Sequence, residues 1–380
     1  MTTGGIRHGA RREMDEKSLR YGVIGVGAMG REHLRNLALI PGATVTALAD
    51  PDDASMSTAR DTLAPQATAF RTAGDLIGSG LCDAVVIASP NDTHKSNLEA
   101  IFASGSKLPV LVEKPLCTSA EDCRWLSKAC ADHPAPIWVG MEYRFMPAVQ
   151  EMQAKLRAGV AGSPRMIAIR EHRHPFLTKV NDWNRFSHRT GGTLVEKCCH
   201  FLDLMRMFAN DEPVRIYASG AMDENHLDES YDGARPDILD NAFVIVDFRN
   251  GARAALDLCM FADGVAWEQE YSVTGGKARV DCLIPARHAY ARGVQAQVIV
   301  SNRNREETRE YISIDPAVMT AGAHSGATYH EHLAFRRAIL GQGQIEVGVP
   351  DGLRAVAMGL AAELSAREHR PVEIDGIEFG

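Results

Sequence analysis

The stretch RYGVIGVGAMGREHLRNLALI occupies residues 20–40. It opens on a β-type run from Tyr21 to Val26, passes through Gly25, Gly27 and Gly30 with Ala28 and Met29 between the last two, and continues as a helical pattern to Ile40. Glycines spaced in this way permit a tight strand-to-helix turn and close approach of backbone to a pyrophosphate, which the new helix's N-terminus attracts. A lone GxGxxG is weak. Here a strand precedes it, a helix follows, and a second strand, ATVTALAD, ends in Asp50. An acidic residue about twenty positions on is where a dinucleotide fold places the partner of the adenosine ribose hydroxyls.

Asp50 bears on the choice of cofactor. A carboxylate that accepts from a ribose 2′-hydroxyl repels a 2′-phosphate, and no Arg follows in DPDDAS, so the pattern favours NAD over NADP. Downstream, strand-like and helix-like segments alternate: CDAVVIASP, NDTHKSNLEAIFASG, LPVLVEKPL, SAEDCRWLSKAC and IWVGMEY. Such alternation predicts a doubly wound parallel sheet covered on both faces, with ligands beyond the carboxyl ends of its strands. Ser89, Pro90, Asn91, Glu113, Lys114 and Pro115 fall at such ends, and His94 follows closely, so all but Pro115 are taken as cofactor-binding together with the glycine loop and Asp50.

Composition sets outer limits. The 380 residues are 45% hydrophobic and 24% charged, which suits a soluble two-domain protein. A net charge of −8 argues against a general nucleic-acid binder. No apolar stretch approaches a membrane span. Residues 1–18 are polar and read as a mobile tail without a secretory signal. The eight cysteines lack zinc-knuckle spacing and read as small buried hydrophobes of a reducing cytoplasm.

After Pro147 the character changes. Segments such as NAFVIVDFRNG, ARAALDLCMFA and WEQEYSVTGG, joined by short turns, predict a C-terminal α+β domain (143–380) with a large open antiparallel sheet, beside a Rossmann domain (19–142). Two closing helices are expected to pack back toward the first domain. Well before them, ahead of most of the sheet's strands, lies GGTLVEKCCHFLDL, residues 191–204. Helical spacing puts Glu196, His200 and Asp203 on one face, too few ligands for a zinc site but a set suited to proton transfer, so no metal is expected. In REHRHPF, Glu171 and Arg173 share one strand face while His172 and His174 share the other. Trp183, Arg185 and His188 sit on the loop before the helix, His324, Ser325, Tyr329 and His330 before a later one, and HLDESYDGARPDILDN reads as an acidic loop.

The segments GVIGVGAMGREHLRNL, ALADPD, VVIASPNDTH, VEKPL, GMEYRFMPAV and GGTLVEKCCHFLDL together resemble the Gfo/Idh/MocA family, the glucose–fructose oxidoreductase and inositol dehydrogenase relatives. The resemblance implies a nicotinamide cofactor, a sheet used to form homodimers or homotetramers, and oxidation of a secondary hydroxyl of a sugar, inositol or sugar derivative, an anionic one if Arg173, Arg185 and Lys197 gather at the cleft. It implies His200 as proton acceptor and Lys114 as the residue holding the reacting oxygen, with Glu196 as the third catalytic candidate. Relatives commonly show Asp-x-x-x-His where this chain has Glu196 and His200. Tyr143, Arg173, Trp183, Arg185, Lys197 and His200 are the substrate candidates, Lys197 either facing substrate or pairing with Glu196. Two rival readings share the motifs: an NAD-dependent glycosidase that oxidises transiently, eliminates and reduces, and a nucleotide-sensing regulator, which would have no use for Lys114 with His200.

Overall fold

The structure is a computed structural model, and it describes residues 18–374. The tail expected at 1–18 lies, apart from its last residue, outside the described residues. Six parallel strands form the first sheet: β1 (Leu19–Ile24), β2 (Ala43–Ala49), β3 (Thr68–Phe70), β4 (Ala84–Ile87), β5 (Val110–Glu113) and β6 (Ile137–Gly140). Their order is β3-β2-β1-β4-β5-β6. Strands β4, β5 and β6 are buried along their whole length, as their unbroken apolar runs require for a sheet covered on both faces. The covering helices are α1 (Ala28–Leu37), α2 (Asp53–Thr62), α3 (Ala73–Gly78), α4 (His94–Ala103) and α5 (Ala120–Ala129). Local chemistry starts them: Asp52 accepts from the Ser55 N–H at α2, and Ser119 accepts from the Asp122 N–H at α5. Strand order reverses between β1 and β4, which opens a crevice at their carboxyl ends.

Helix α6 (Pro147–Arg157) leads into the second sheet, and the short helices α7 (Ser187–Thr190) and α8 (Thr193–Glu196) precede α9 (Cys199–Ala209). The sheet's nine strands are β7 (Pro164–His172), β8 (Pro213–Ala221), β9 (Asn241–Phe248), β10 (Arg253–Cys259), β11 (Trp267–Gly275), β12 (Ala278–Pro285), β13 (Ala296–Asn302), β14 (Glu307–Ile312) and β15 (Val372–Glu373). It is mostly antiparallel, as expected, but β7 and β10 run parallel at its centre. The long excursion after β7, through α7 to α9 and the meander β8–β9–β10, supplies the crossover that a parallel pair needs.

Helices α10 (Arg287–Tyr290), α11 (Pro316–Ala321), α12 (Ala327–Ile339) and α13 (Val349–Glu368) complete the fold. Phe335 of α12 and Val356 of α13 join the core of the first sheet, while Met358 and Ala362 of α13 join the core of the second. One long helix therefore belongs to both cores and fixes how the two sheets face each other. None of the described helices is long and apolar enough to cross a membrane. All eight cysteines are unpaired, and all but Cys259 are buried, as small apolar residues.

Candidate active site

The glycine loop is built for close approach. Gly25 has φ +85°, and a Cβ there would lie 2.4 Å from the Ser89 backbone nitrogen. A Cβ on Gly30 would meet the Gly25 carbonyl oxygen at 2.0 Å, whereas one on Gly27 would meet nothing within 4 Å. The first and third glycines thus allow turn and helix to pack, and the second faces open space at the start of α1, between half-buried Met29, exposed Ala28 and the strand ends. Asp50 accepts from the Val26 N–H at 2.8 Å and from the Asp52 N–H at 2.8 Å. Each oxygen retains a lone pair for a ribose hydroxyl. These residues fit a dinucleotide. The structure adds Arg71, whose guanidinium donates to Asp53 and to the Pro51 carbonyl. Arg71 lies outside the stretch DPDDAS, and β3 brings it back beside Asp53 from eighteen positions away.

Beyond β4, the Ser89 hydroxyl accepts from Thr93 and Asn97, and Pro90 leads into the turn that carries Asn91. The Asn91 amide donates to the Glu196 carboxylate across the cleft. His94 is fully buried, its ring nitrogens against the Pro115 and Ser89 carbonyls, so it ties two strand ends together and presents nothing to the cleft. Glu113 accepts from His33 Nε2 at 2.9 Å and also from the Lys114 N–H. Lys114 Nζ donates to the Glu196 carbonyl at 3.0 Å. Burial works against the ammonium, but Glu196, Cys199, Glu113 and Glu142 outweigh it and raise its pKa, so Lys114 is held charged.

The opposite wall departs from expectation at α8. The helix breaks after Glu196: the Cys198 N–H bonds the Thr193 carbonyl five residues back, widening the turn before α9 begins at Cys199. Glu196, His200 and Asp203 therefore do not act as one stripe. Glu196 meets Asn91, Asp203 takes a bidentate pair from Arg144, and His200 stacks on Tyr143 with ring centroids 4.0 Å apart and planes 5° from parallel. His200 is buried, and its Nδ1 has no hydrogen-bond partner. Burial, reinforced by the charges of Lys114, Lys197, His324 and Arg173, pushes its pKa well below the ordinary value, so the imidazole is neutral. A neutral histidine with an unfilled nitrogen, near a charged lysine, has the protonation states that hydroxyl deprotonation needs.

Lys197 does not pair with Glu196. Its Nζ lies 2.8 Å from Glu171 and donates to the Tyr143 hydroxyl at 2.6 Å, fully enclosed. The other cationic substrate candidates also have acidic partners. Arg185 is buried against Glu229 of the acidic loop, and Arg173 is spent on Glu171 and His174. Trp183 is buried beneath Arg189. A buried lysine or arginine needs an opposite charge, and distant carboxylates supply it. The second Glu171 oxygen is buried without a partner, an acceptor left at the same wall. Lys179, on the loop after β7, was missed by sequence reasoning. It lies near Glu196 and Lys114 with its pKa lowered, chiefly by burial. Nothing in a long polar loop marks one lysine as inward-facing.

Behind His200 lies a second group. Glu142 Oε1 is 3.9 Å from His200 Nε2 and 3.4 Å from His324 Nδ1, and His324 donates to Glu32 at 2.8 Å. The Thr328 hydroxyl lies 2.8 Å from Glu142 and 3.1 Å from Glu32.

The comparisons with known proteins agree with this arrangement. The family description "Oxidoreductase family, NAD-binding Rossmann fold" matches residues 19–141, and "Oxidoreductase family, C-terminal alpha/beta domain" matches residues 153–374. The chain belongs to the Gfo/Idh/MocA oxidoreductase family. The rhizopine catabolism protein MocA of Rhizobium meliloti is 28% identical over 283 residues, 73% of this chain and 84% of that protein. Inositol 2-dehydrogenase of Rhizobium meliloti (strain 1021) is 26% identical over 358 residues, 94% of this chain and 99% of that one. The solved structure of levoglucosan dehydrogenase with NADH and levoglucosan shares the fold, with a TM-score of 0.79 at 19% identity, covering 94% of this chain and all of that one.

Proposed function

We propose that this protein is an NAD-dependent dehydrogenase that oxidises a secondary hydroxyl of a sugar, inositol or sugar derivative. The observation that carries the reading is the meeting of a charged Lys114 with a neutral, incompletely bonded His200 beyond the end of β5. A bound nicotinamide supplies the hydride acceptor. Lys114 donates to the reacting oxygen and stabilises its developing negative charge. His200 takes the hydroxyl proton, and the Tyr143 ring stacked on it fixes the imidazole plane. Glu196, held by Asn91, positions Lys114 through its backbone carbonyl. Inositol 2-dehydrogenases among the relatives support a polyol substrate.

Asp50 supports NAD over NADP, because its carboxylate already accepts two backbone N–H groups and stays available to a ribose hydroxyl. Arg71 does not reverse this, since Asp53 engages it. The outer face of the second sheet exposes Phe243 and Ile245, with Tyr217 directly opposite Ile245, an apolar patch that supports a homo-oligomer.

The test supplies myo-inositol, free sugars, sugar acids, sulfosugars and their glycosides with NAD while following both reduced cofactor and released aglycone. A dehydrogenase accumulates NADH in proportion to product. Aglycone release without lasting NADH, with solvent deuterium entering the carbon beside the transient ketone, would establish the redox-neutral glycosidase instead.

A further inference from the structure

A base buried as deeply as His200 can take one proton per turnover only if that proton then has a way out. His200 is 2% exposed, and its Nε2 faces the Glu142 carboxylate. Glu142 is itself 1% exposed and meets no solvent. Next in line is His324, whose side chain is 24% exposed and is the first group from His200 outward along this line to reach solvent. Its ring is held by Glu32 from α1 and by Glu142 and Tyr143 from the turn after β6, and faces the like charge of Lys197 from the α8–α9 junction, with Thr328 of α12 within reach of both carboxylates.

We infer that Glu142 and His324 form a proton relay between His200 and solvent. The inference rests on the dehydrogenase reading for what loads His200. The substrate's C–H bond gives its electron pair and hydrogen to the cofactor, which is reduced as the alcohol is oxidised, and the O–H proton goes to His200. The imidazolium passes its Nε2 proton to Glu142 Oε1. His324 gives its Nε2 proton to solvent, the remaining ring proton moves from Nδ1 to Nε2 through water, and the bared Nδ1 takes the proton from Glu142. The net result is one proton delivered to water and the charge of each of the three groups restored. The gap of 3.9 Å between His200 and Glu142 must close during transfer, as catalytic hydrogen bonds commonly do on substrate binding. The protonation states agree. Glu142 has its pKa raised, first by burial and then by Glu113 and Glu32 against His324, so it accepts a proton more readily than an ordinary carboxylate. His324, raised to about 9 by Glu142 and Glu32 against its burial, starts charged. Glu142 and His324 touch neither substrate nor cofactor in this scheme, and they act through His200.

Two measurements decide it. In the first, ring-¹⁵N NMR follows the His324 titration in wild type and Glu142→Gln, with no substrate needed. A shift from about 9 toward the ordinary value near 6.5 is expected, and an unmoved titration overturns the relay. In the second, NAD reduction is followed with myo-inositol, or whichever polyol is turned over. Glu142→Gln and His324→Ala are expected to lower kcat by about tenfold or more, leave KM for NAD unchanged and raise the solvent deuterium isotope effect. Added imidazole should restore part of the His324→Ala rate saturably, which a merely structural role would not allow. Full kcat in both variants, or stoichiometric zinc held by Glu32, Glu142 and His324 on dialysis, overturns the relay. Should Glu142→Gln fail to fold, Glu142→Asp takes its place, with a smaller drop in rate expected. If no polyol is turned over, the dehydrogenase reading fails on its own, and the NMR titration alone then decides the relay's coupling.

Discussion

The two walls of the cleft satisfy their polar side chains in different ways. On the Rossmann wall, most functional groups bond to backbone: Asp50 accepts from two N–H groups, Lys114 donates to a carbonyl, and His94 rests between two carbonyls, while Glu113 also meets His33. On the wall made by the second sheet and α9, charge answers charge: Lys197 with Glu171, Arg144 with Asp203, Arg185 with Glu229. Backbone partners come with the fold and leave a side chain's remaining valences for a ligand. Charged partners consume each other and make the wall rigid. The first wall is arranged for binding, and the second is arranged to hold His200 in place and keep it neutral.

Substitutions separate the two. The largest effect is expected on the second wall. Lys197→Met keeps the side chain's length but removes its charge, leaving the fully buried Glu171 with only the longer 3.5 Å contact from Arg173. Breaking a buried pair on one side costs about 3–5 kcal/mol, so the urea midpoint should fall steeply. A midpoint unchanged from wild type would mean that the pairing contributes little and that the contrast between the walls is overstated.

Lys114→Ala tests the other wall. Losing a charge-stabilising group, or the proton acceptor in His200→Ala, is expected to lower turnover by about a hundredfold or more. Both variants should still melt cooperatively, and His200→Ala should bind NAD as wild type does. Near-wild-type turnover in either would remove that residue from the mechanism.

Asp50→Ala sharpens the backbone half of the comparison. The carboxylate anchors the glycine loop through the Val26 N–H, and in the proposed reading it also accepts from a ribose hydroxyl, so its loss should narrow the preference for NAD over NADP by about tenfold, the scale of one charge-assisted hydrogen bond. Titrating both cofactors against both proteins measures it. A wild type that prefers NADP would show that Arg71 leaves Asp53 to hold the phosphate.

The same division explains what could be read from the sequence. Gly25, Gly27, Gly30 and Asp50 are legible because their work is local: a turn, a helix start and a strand end lie within thirty residues. Lys114 is legible for the same reason, at the end of a buried strand. The second wall is not. Nothing beside Lys197 names Glu171, twenty-six positions earlier on the central strand β7. The break after Glu196 is equally silent, because the run from Thr193 to Ala209 carries a helical apolar pattern throughout, and only the packed cores on either side decide where it widens. Glu142 was visible as a charge inside GMEYRF. The groups it meets, His324 and Thr328, lie 182 and 186 positions away.

The smallest effect is expected where the walls join. Glu32 belongs to the helix that follows the glycine loop, and His324 to the segment that leads into α12, so their 2.8 Å pair ties the two halves together. Glu32 is lowered to about 2: its burial acts against this, but the charge and hydrogen bond of His324, with Thr328, win. His324 is raised to about 9 against its own burial, by Glu142 and Glu32. A histidine whose folded pKa lies above its unfolded value adds stability that is fully present below about 6.5 and is lost as pH rises through about 9. A carboxylate whose folded pKa is lowered adds stability that is present above about 4.5 and is lost as pH falls toward about 2. The pair's contribution is therefore greatest between about pH 4.5 and 6.5, and its alkaline decline belongs to His324. In His324→Gln the amide bonds Glu32 without titrating, so the fall in Tm between pH 6.5 and 9 should be shallower than in wild type, while the two curves keep similar slopes between pH 5 and 6. Parallel curves across the alkaline range would mean that His324 is not charged in the folded protein, and the two walls would then be joined by packing alone.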